Sequence, residues 1–586
     1  MALTMGDGRR AGEAGRVVRV SGPLVDLVGL GDGVAMFDVV EVGAARLPGE
    51  VVSIDRGRVT AQLYEYTGGL APGAAAAALG APLSARLGPG LLGGVFDGIL
   101  RPLAGAATWL RPGDRGDGAP THFDFRPACH VGEHVLPGDA VGTAIGAGGV
   151  EEAVIVPPGI QGAITWVSAE RSVGQSEFVA QVGGQSVPLT ASWPVRRPRP
   201  AARRLDATEP LVTGQRVLDV LFPVAKGSTA AVVGGFGTGK TVLLQQIAKW
   251  CDAEVIVYVA CGERGNELAD TIDELGGLED PRTGRRLVER TVIIANTSNM
   301  PVMAREASIY TGMTVAEYFR DQGLNTVLIA DSTSRWAEAL REFSSRTGEL
   351  PAEEGFPAGL ASALAAFYER AGRVETLGGH QGSVTVVAAV SPPGGDMTEP
   401  VTAHTQRFVR SLWTLDRDLA YARHYPAVSW RSSFSRDAPA VAAWQAHNGD
   451  AAWAVRRGRL QGLLAEADHL TSVAELVGAG ALPGRERVVL LAARLAREAL
   501  LQQSALSSND ASCGLGKQAA LGAAVLAVHD RAQVLVNEGR PATIIESTDF
   551  TALIRAAGDV GPEDAAGVTA RAEQTLAALT GSAGPP

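Results

Sequence analysis

The sequence predicts a multidomain α/β protein: an N-terminal β-barrel, an inserted β domain, a phosphate-loop α/β domain and a C-terminal helical domain. Three observations carry this reading. Short Val- and Gly-rich alternating segments fill residues 15–73. Strand-like apolar runs alternate with helical patterns from about 210 to 436. Ala, Leu and Arg recur at helical spacing from about 437 onward. At 586 residues the chain is too long for one core.

Taken in order, the segments RVVRVSGPLVDLV, MFDVVEV, GEVVSID and RVTAQLYEY read as short strands of a barrel over 1–75. The Ala/Gly/Pro stretch at 71–82 reads as a linker, and 76–115 as a connector packing on the α/β domain. Residues 116–195 form a second β-rich block whose turns carry Pro-Gly and Gly-Asp. It interrupts the path to the α/β domain, assigned to 196–436, and so reads as an insertion. The string GRERVVLLAARLAREALLQQ typifies the helical region at 437–586, and the final GSAGPP reads as a disordered tail.

Bulk properties exclude several classes. Hydrophobic residues make up 46% and charged residues 20%, the balance of an ordinary soluble protein. No apolar run is long enough to span a bilayer. The opening MALTMGDGRRAGEAG has arginines but no apolar segment behind them, so it reads as a flexible lead-in, and a cytoplasmic setting is expected. A net charge of −11 argues against a broad nucleic-acid surface. The densest basic run, Arg196-Arg197-Pro198-Arg199-Pro200 with Arg203-Arg204, is broken by proline and reads as a solvated connector. The four cysteines (Cys129, Cys251, Cys261, Cys513) form no C-x-x-C pair and read as buried thiols.

The chemistry is concentrated in one stretch. Gly234-Gly235-Phe236-Gly237-Thr238-Gly239-Lys240-Thr241 fits G-x-x-x-x-G-K-[ST] in full. An apolar run, Ala230-Ala231-Val232-Val233, precedes it, and a helical pattern from Val242 to 250 follows. Glycine is common here, 72 residues in all, so Gly-rich turns arise often without function. A full match between strand and helix is different, because that arrangement aims backbone N–H groups and a helix N-terminus at an anion. Lys240 then lies on the β- and γ-phosphates of a nucleotide, and the Thr241 hydroxyl holds Mg²⁺.

Two further strand ends complete a hydrolysis site. VIVYVACGERG places Glu263 at the carboxyl end of a strand, beyond which ligands bind in open α/β sheets. Glu263 is placed to orient or deprotonate water, and Arg264 to balance phosphate charge; adjacent Glu and Arg are otherwise a common surface pair. TVLIAD ends in Asp331, the pattern of a carboxylate that holds Mg²⁺ through water. Arg335 and Glu338 follow as candidate supports. No local motif supplies a second arginine for the transition state, so its expected source is a neighbouring chain.

With these residues in hand, the chain resembles the catalytic A subunit of V-type (V/A-type) rotary ATPases over nearly its whole length. Supporting strings run in order: Gly88-Pro89-Gly90, Phe96-Asp97-Gly98-Ile99, PLVTGQRVLD at 210–219, LFPVAKG at 221–227, CGERGNE at 261–267, NTSNMPVMAREASIYTGMTVAEYFRDQG at 296–323, DSTSRWAEALRE at 331–342, SPPGGDMTEPVT at 391–402 and Leu482-Pro483-Gly484-Arg485-Glu486-Arg487. The resemblance implies a RecA-like nucleotide domain, identifies the β insertion with the family's bulge domain, and implies ATP or ADP as substrate with Mg²⁺. It also implies an alternating A3B3 ring whose B subunit lends an arginine finger, central and peripheral stalk partners, an indirect link to a membrane sector moving H⁺ or Na⁺, and a peripheral place on the cytoplasmic face. Tyr425, in Arg423-His424-Tyr425-Pro426-Ala427, is implied to pack on adenine, although a lone Tyr is as readily a packing residue. Val242 and Gln503 join the implied nucleotide contacts. Two departures stand out. Thr238 occupies a loop position often Cys in eukaryotic members, so thiol control there is not expected, and Leu506 stands where an aromatic is common. The rival readings are a Rho-like hexameric nucleic-acid motor, which needs a basic, aromatic-rich barrel, and a type III secretion or F-type relative; a type III secretion ATPase would lack the insertion.

Overall fold

Alternating valines near the N-terminus close into a barrel because a period of two puts every second side chain on one face. A computed structural model describes residues 15–31, 33–103, 122–146, 149–280 and 283–581. The predicted lead-in at 1–14 and nearly all of the predicted tail lie outside the described residues, as do parts of the connector and the first residues of the predicted insertion. The chain divides into two compact units, one of Met1–Asp206, Ala253–Val390 and Met397–Phe408, the other of Ala207–Asp252, Ser391–Asp396 and Val409–Pro586.

In the first unit, six antiparallel strands form a closed barrel in the order Gly15–Ser21, Leu24–Val28, Arg58–Leu63, Leu47–Asp55, Asp38–Val42, Ala75–Pro82. Val17, Val25, Val40, Val51 and Leu63 fill it. The linker expected at 71–82 is corrected here: Ala75–Pro82 pairs with Asp38–Val42 and closes the barrel against Gly15–Ser21. Its alanines fit because Ala76 is the small inward-facing residue of that strand.

The insertion is two four-stranded sheets, ordered His134–Val135, Gly162–Val167, Phe178–Val182, Gln185–Pro188 and Glu151–Ile155, Ala140–Ile145, His122–Pro127, Arg171–Gly174. Phe123, Phe125, Val141, Val173 and Val179 make one shared core. The strands at its two ends, Ser84–Leu87 and Ala191–Pro194, pair with each other, so the insertion leaves and returns at one place.

The solvated connector expected at Arg196 to Pro200 with Arg203-Arg204 is corrected at two of its arginines, while Arg197, Arg203 and Arg204 are exposed. Arg196 bridges Glu50 of the barrel at 2.9 Å and Glu306 of the helix Val302–Arg320 at 2.6 Å. Arg199 is buried against Asp321 at 2.7 Å. Carboxylates remote in sequence receive these guanidinium groups, as buried charge requires.

The rest of the first unit carries parallel strands in the order Val95–Phe96, Thr291–Thr297, Val255–Glu263, Asn325–Asp331, Gln381–Val390. Gly265–Gly277, Val302–Arg320 and Thr333–Thr347 are its crossover helices. Nearly every residue of Val255–Glu263 is buried, which is why it reads as an unbroken apolar run.

In the second unit, Thr229–Val233 runs parallel to Ser411–Thr414, which pairs antiparallel with Phe434–Ser435. The helices Trp453–Val477, Gly484–Leu495, Leu515–Asn537 and Ala565–Gly581 follow. Val488, Leu491, Val528, Leu535 and Leu579 share one of their cores. Among the described residues, Leu515–Asn537 is the one helix long and apolar enough to cross a membrane, and it buries Leu521, Val525 and Val528 within the unit. All four cysteines are buried thiols outside any disulfide, as expected.

Candidate functional site

The strand Thr229–Val233 is buried along its whole length and runs into residues 234–239, after which the helix Lys240–Trp250 begins. Glycine is required in this turn. Gly237 and Gly239 have φ of 77° and 92°, where side chains are strained. A Cβ on Gly234 would stand 2.7 Å from Thr238 Oγ1 and 2.8 Å from Leu415 Cβ. The Thr238 hydroxyl donates to the Gly235 carbonyl at 2.8 Å. Lys240 Nζ donates to the carbonyls of Gly234 and Gly235 at 2.7 and 2.9 Å, which folds its ammonium over the loop. Gly239 caps the helix with no side-chain acceptor, and a helix N-terminus aims its first-turn N–H groups at an anion. Phe236, at the loop tip, is 94% exposed.

The loop opens onto a cavity of about 1030 Å³ whose wall includes Gly237, Thr238, Gly239, Val242, Tyr425 and Leu506. The Tyr425 ring lies 3.7 Å from where a Gly239 Cβ would point, and its hydroxyl donates to the Ala420 carbonyl at 3.3 Å. Leu506 is almost wholly exposed in that wall. Gln503 also lines the cavity, but its amide is engaged by protein: Oε1 accepts from the Arg216 N–H and Nε2 donates to the Gly214 carbonyl, both at 2.8 Å. Burial and the neighbouring Arg497 charge lower the His424 pKa to about 4, so the residue before Tyr425 is neutral at physiological pH.

The first unit presents the strand ends. Glu263 closes Val255–Glu263 just after an irregularity in its pairing with Thr291–Thr297, between Cys261 and Glu263. Such a bulge re-aims the next side chain. Gly262 sits at that point with φ 74°, packed under Arg335 and Arg305. Arg264 is exposed and caps the helix Gly265–Gly277. Asp331 ends the neighbouring strand, is only 3% exposed, and accepts from the Tyr258 hydroxyl at 3.1 Å. Burial first, then the Asp331 charge, holds the Tyr258 pKa well above its ordinary value, so that hydroxyl remains a donor. Arg335 and Glu338 form a half-exposed ion pair at 3.0 Å on the helix Thr333–Thr347.

Two arginines at these sites were not singled out by sequence. Arg305 lies against Gly262, donates to the Ser298 carbonyl at 2.9 Å, and has a buried Nε with no hydrogen-bond partner. An Arg417 guanidinium nitrogen lies 3.3 Å from the Cβ position of Gly235. Neither follows a local motif; both are brought in by the fold.

Comparison with known proteins gives a consistent assignment along the chain. Residues 17–80 match the beta-barrel domain of the ATP synthase alpha/beta family, and 119–196 its barrel-sandwich domain. Residues 214–435 match the nucleotide-binding domain of that family, and 442–545 the C-terminal domain of V and A type ATP synthase. The V-type ATP synthase alpha chain of Anaeromyxobacter dehalogenans is 49% identical across 97% of this chain and 99% of its own length. This chain belongs to the V-type and A-type ATP synthase alpha-chain family.

The counterpart in the A-type ATP synthase of Methanopyrus kandleri is 47% identical over 91% of this chain and 92% of its own. The ATPase EscN of an enteropathogenic E. coli type III secretion system superposes with a TM-score of 0.62, over 88% of this chain and 100% of that one. At 21% identity that likeness is one of fold. As a V/A-type alpha chain the protein is an ATP hydrolase or synthase coupled to ion transport, and the barrel, barrel-sandwich, nucleotide-binding and helical domains are those of the family. Relatives of this type are peripheral catalytic subunits of a membrane-associated, multi-subunit ATPase.

Proposed function

We propose that this chain hydrolyses or synthesises ATP at its contact with a B subunit, in an alternating A3B3 ring that drives proton or sodium ion movement through stalk subunits. The observation that carries the proposal is the phosphate loop, whose left-handed glycines and folded Lys240 open onto a cavity walled by Tyr425 and Leu506. Phosphoryl transfer asks little covalent chemistry of a protein; it asks for position and charge. In this reading residues 234–241 cradle the phosphates, Lys240 neutralises the β- and γ-oxygens, and Val242 and Tyr425 meet the nucleoside. Glu263 orients the attacking water and takes its proton in hydrolysis, while Arg264 balances charge on the phosphate.

The Thr241 hydroxyl and the buried Asp331 carboxylate are hard oxygen donors that suit Mg²⁺, the carboxylate through water, and the Tyr258 hydroxyl fixes that carboxylate. When bound, Mg²⁺ supplies charge stabilisation at the phosphates. The transition-state arginine comes from the B subunit. The complex sits on the cytoplasmic face of its membrane. Its domains are a barrel that runs through its closing strand Ala75–Pro82, a connector from there to 115, a bulge domain at 116–195, an ATP-binding domain at 196–436 and a helical domain at 437–586. A nucleic-acid motor fits less well, because the chain carries a net charge of −11.

The test is a pair of variants in the assembled complex. Glu263→Gln should bind ATP nearly normally and lose turnover by several orders of magnitude, whereas Lys240→Ala should lose both. Normal turnover in Glu263→Gln would remove Glu263 from the role of base. The isolated chain should hydrolyse ATP poorly, and vigorous activity without a partner would overturn the shared site.

A further inference from the structure

The wall of the nucleotide cavity includes a segment that follows every matched family region. The last of those regions ends at 545, yet Ile554, Ala557 and Gly558 line the cavity together with Leu506. The hydrocarbon and backbone of these three residues suit the face of a base better than a triphosphate, and Arg555 and Asp559 of the same segment line the cavity beside them. The segment is held by one buried side chain. Lys517 is fully buried in the first turn of the helix Leu515–Asn537, at the positive end of the helix dipole, where a cation is disfavoured. Its ammonium has three protons to donate and finds three carbonyls: Asn509 at 2.9 Å, Ala557 at 2.7 Å and Val560 at 3.1 Å. Asn509 belongs to the loop that carries Gln503 and Leu506, and the other two carbonyls belong to the C-terminal segment. Asn509 Nδ2 repeats the tie, donating to the Gly558 carbonyl at 3.1 Å.

We propose that Lys517 is a positioning residue for the base: by joining the 503–510 loop to the 554–560 segment it fixes the spacing of two cavity walls, and so sets affinity for the nucleoside part of ATP. This rests on reading the cavity as the nucleotide site. Lys517 touches no ligand itself; it acts through Leu506 and Ala557. Loss of the tie lets the two walls separate, which weakens contact with the base and leaves the phosphate loop unchanged.

The test is equilibrium binding to the full chain by titration calorimetry, with MgATP and with magnesium tripolyphosphate, which has no base. Lys517→Met should weaken ATP binding about tenfold, the equivalent of about 1.4 kcal/mol, and leave tripolyphosphate affinity unchanged. Asn509→Ala, at a partly exposed position, should shift ATP binding in the same direction by a smaller factor and carries the test should Lys517→Met not fold. In the assembled complex both variants should raise KM for ATP with little change in kcat. Equal losses for ATP and tripolyphosphate, or ATP affinity unchanged in both variants, would overturn the proposal. Lys240→Ala reports on the underlying reading separately: if that variant binds both ligands as the unaltered chain does, the cavity is not the nucleotide site.

Discussion

The backbone N–H of Gln503 donates to the carbonyl of Tyr425 at 2.8 Å. Gln503 in turn grips the Gly214 carbonyl and the Arg216 N–H through its side chain, at 2.8 Å each. A nearly buried glutamine thus fixes the height of the tyrosine in the cavity wall. Gln503→Leu should leave the buried Arg216 N–H unpaired, at about 1–3 kcal/mol, while the Gly214 carbonyl keeps the Cys513 N–H at 3.0 Å. The expected result is a lower Tm together with a raised KM for ATP; an unchanged Tm would refute the bridging role.

Tyr425 itself is about half exposed, with its ring beside Gly239 and its hydroxyl on the Ala420 carbonyl. If the ring stacks on a base, Tyr425→Phe keeps the contact and Tyr425→Ala loses about 0.5–1.5 kcal/mol of it. Steady-state kinetics should show KM near normal for Phe and raised several-fold for Ala, with kcat little altered in both. An equal loss in the two variants would place the function in the hydroxyl instead.

Gly262 links backbone geometry to the proposed base. Its φ of 74° is strained for any side chain, and a Cβ there would meet Arg335 Cβ at 2.9 Å and Arg305 Cδ at 3.3 Å. Gly262→Ala should therefore cost about 1–3 kcal/mol of stability and swing Glu263 out of line. Turnover should fall further than ATP affinity does. Wild-type turnover in this variant would show that the bulge does not aim Glu263.

Much of this was legible in the sequence because the signals are local. The phosphate loop is one contiguous string between an apolar strand and a helix, and Glu263 and Asp331 end strands that are apolar throughout. The closing barrel strand was not legible: Ala75–Pro82 has no alternation and weak β-propensity, and only its neighbours make it a strand. Arg196 and Arg199 read as solvated because their carboxylate partners are more than a hundred residues away in sequence. The same holds for Lys517, whose three carbonyl acceptors share no motif. Packing, not pattern, assigned these residues.

Glu152, on the strand Glu151–Ile155, is 5% exposed. Its Oε1 accepts the Gly90 N–H at 2.5 Å, and Oε2 has no hydrogen-bond partner. Burial pushes its pKa up from 4.5 to about 8, although the amides of residues 90–92 pull the other way. The sign of the linkage follows. Below the unfolded value of 4.5 the group is protonated in both states and its contribution to stability is fully present. As pH rises towards about 8 the unfolded chain ionises while the folded chain holds its proton, and that contribution is lost. At about 1.4 kcal/mol per pK unit the loss is on the order of a few kcal/mol. Thermal unfolding from about pH 5 to pH 9 should therefore show a decline in Tm that is shallower in Glu152→Gln, which does not titrate. Parallel pH profiles for the two proteins would mean that the carboxylate is ionised throughout and that the Gly90 amide, not a proton, stabilises it.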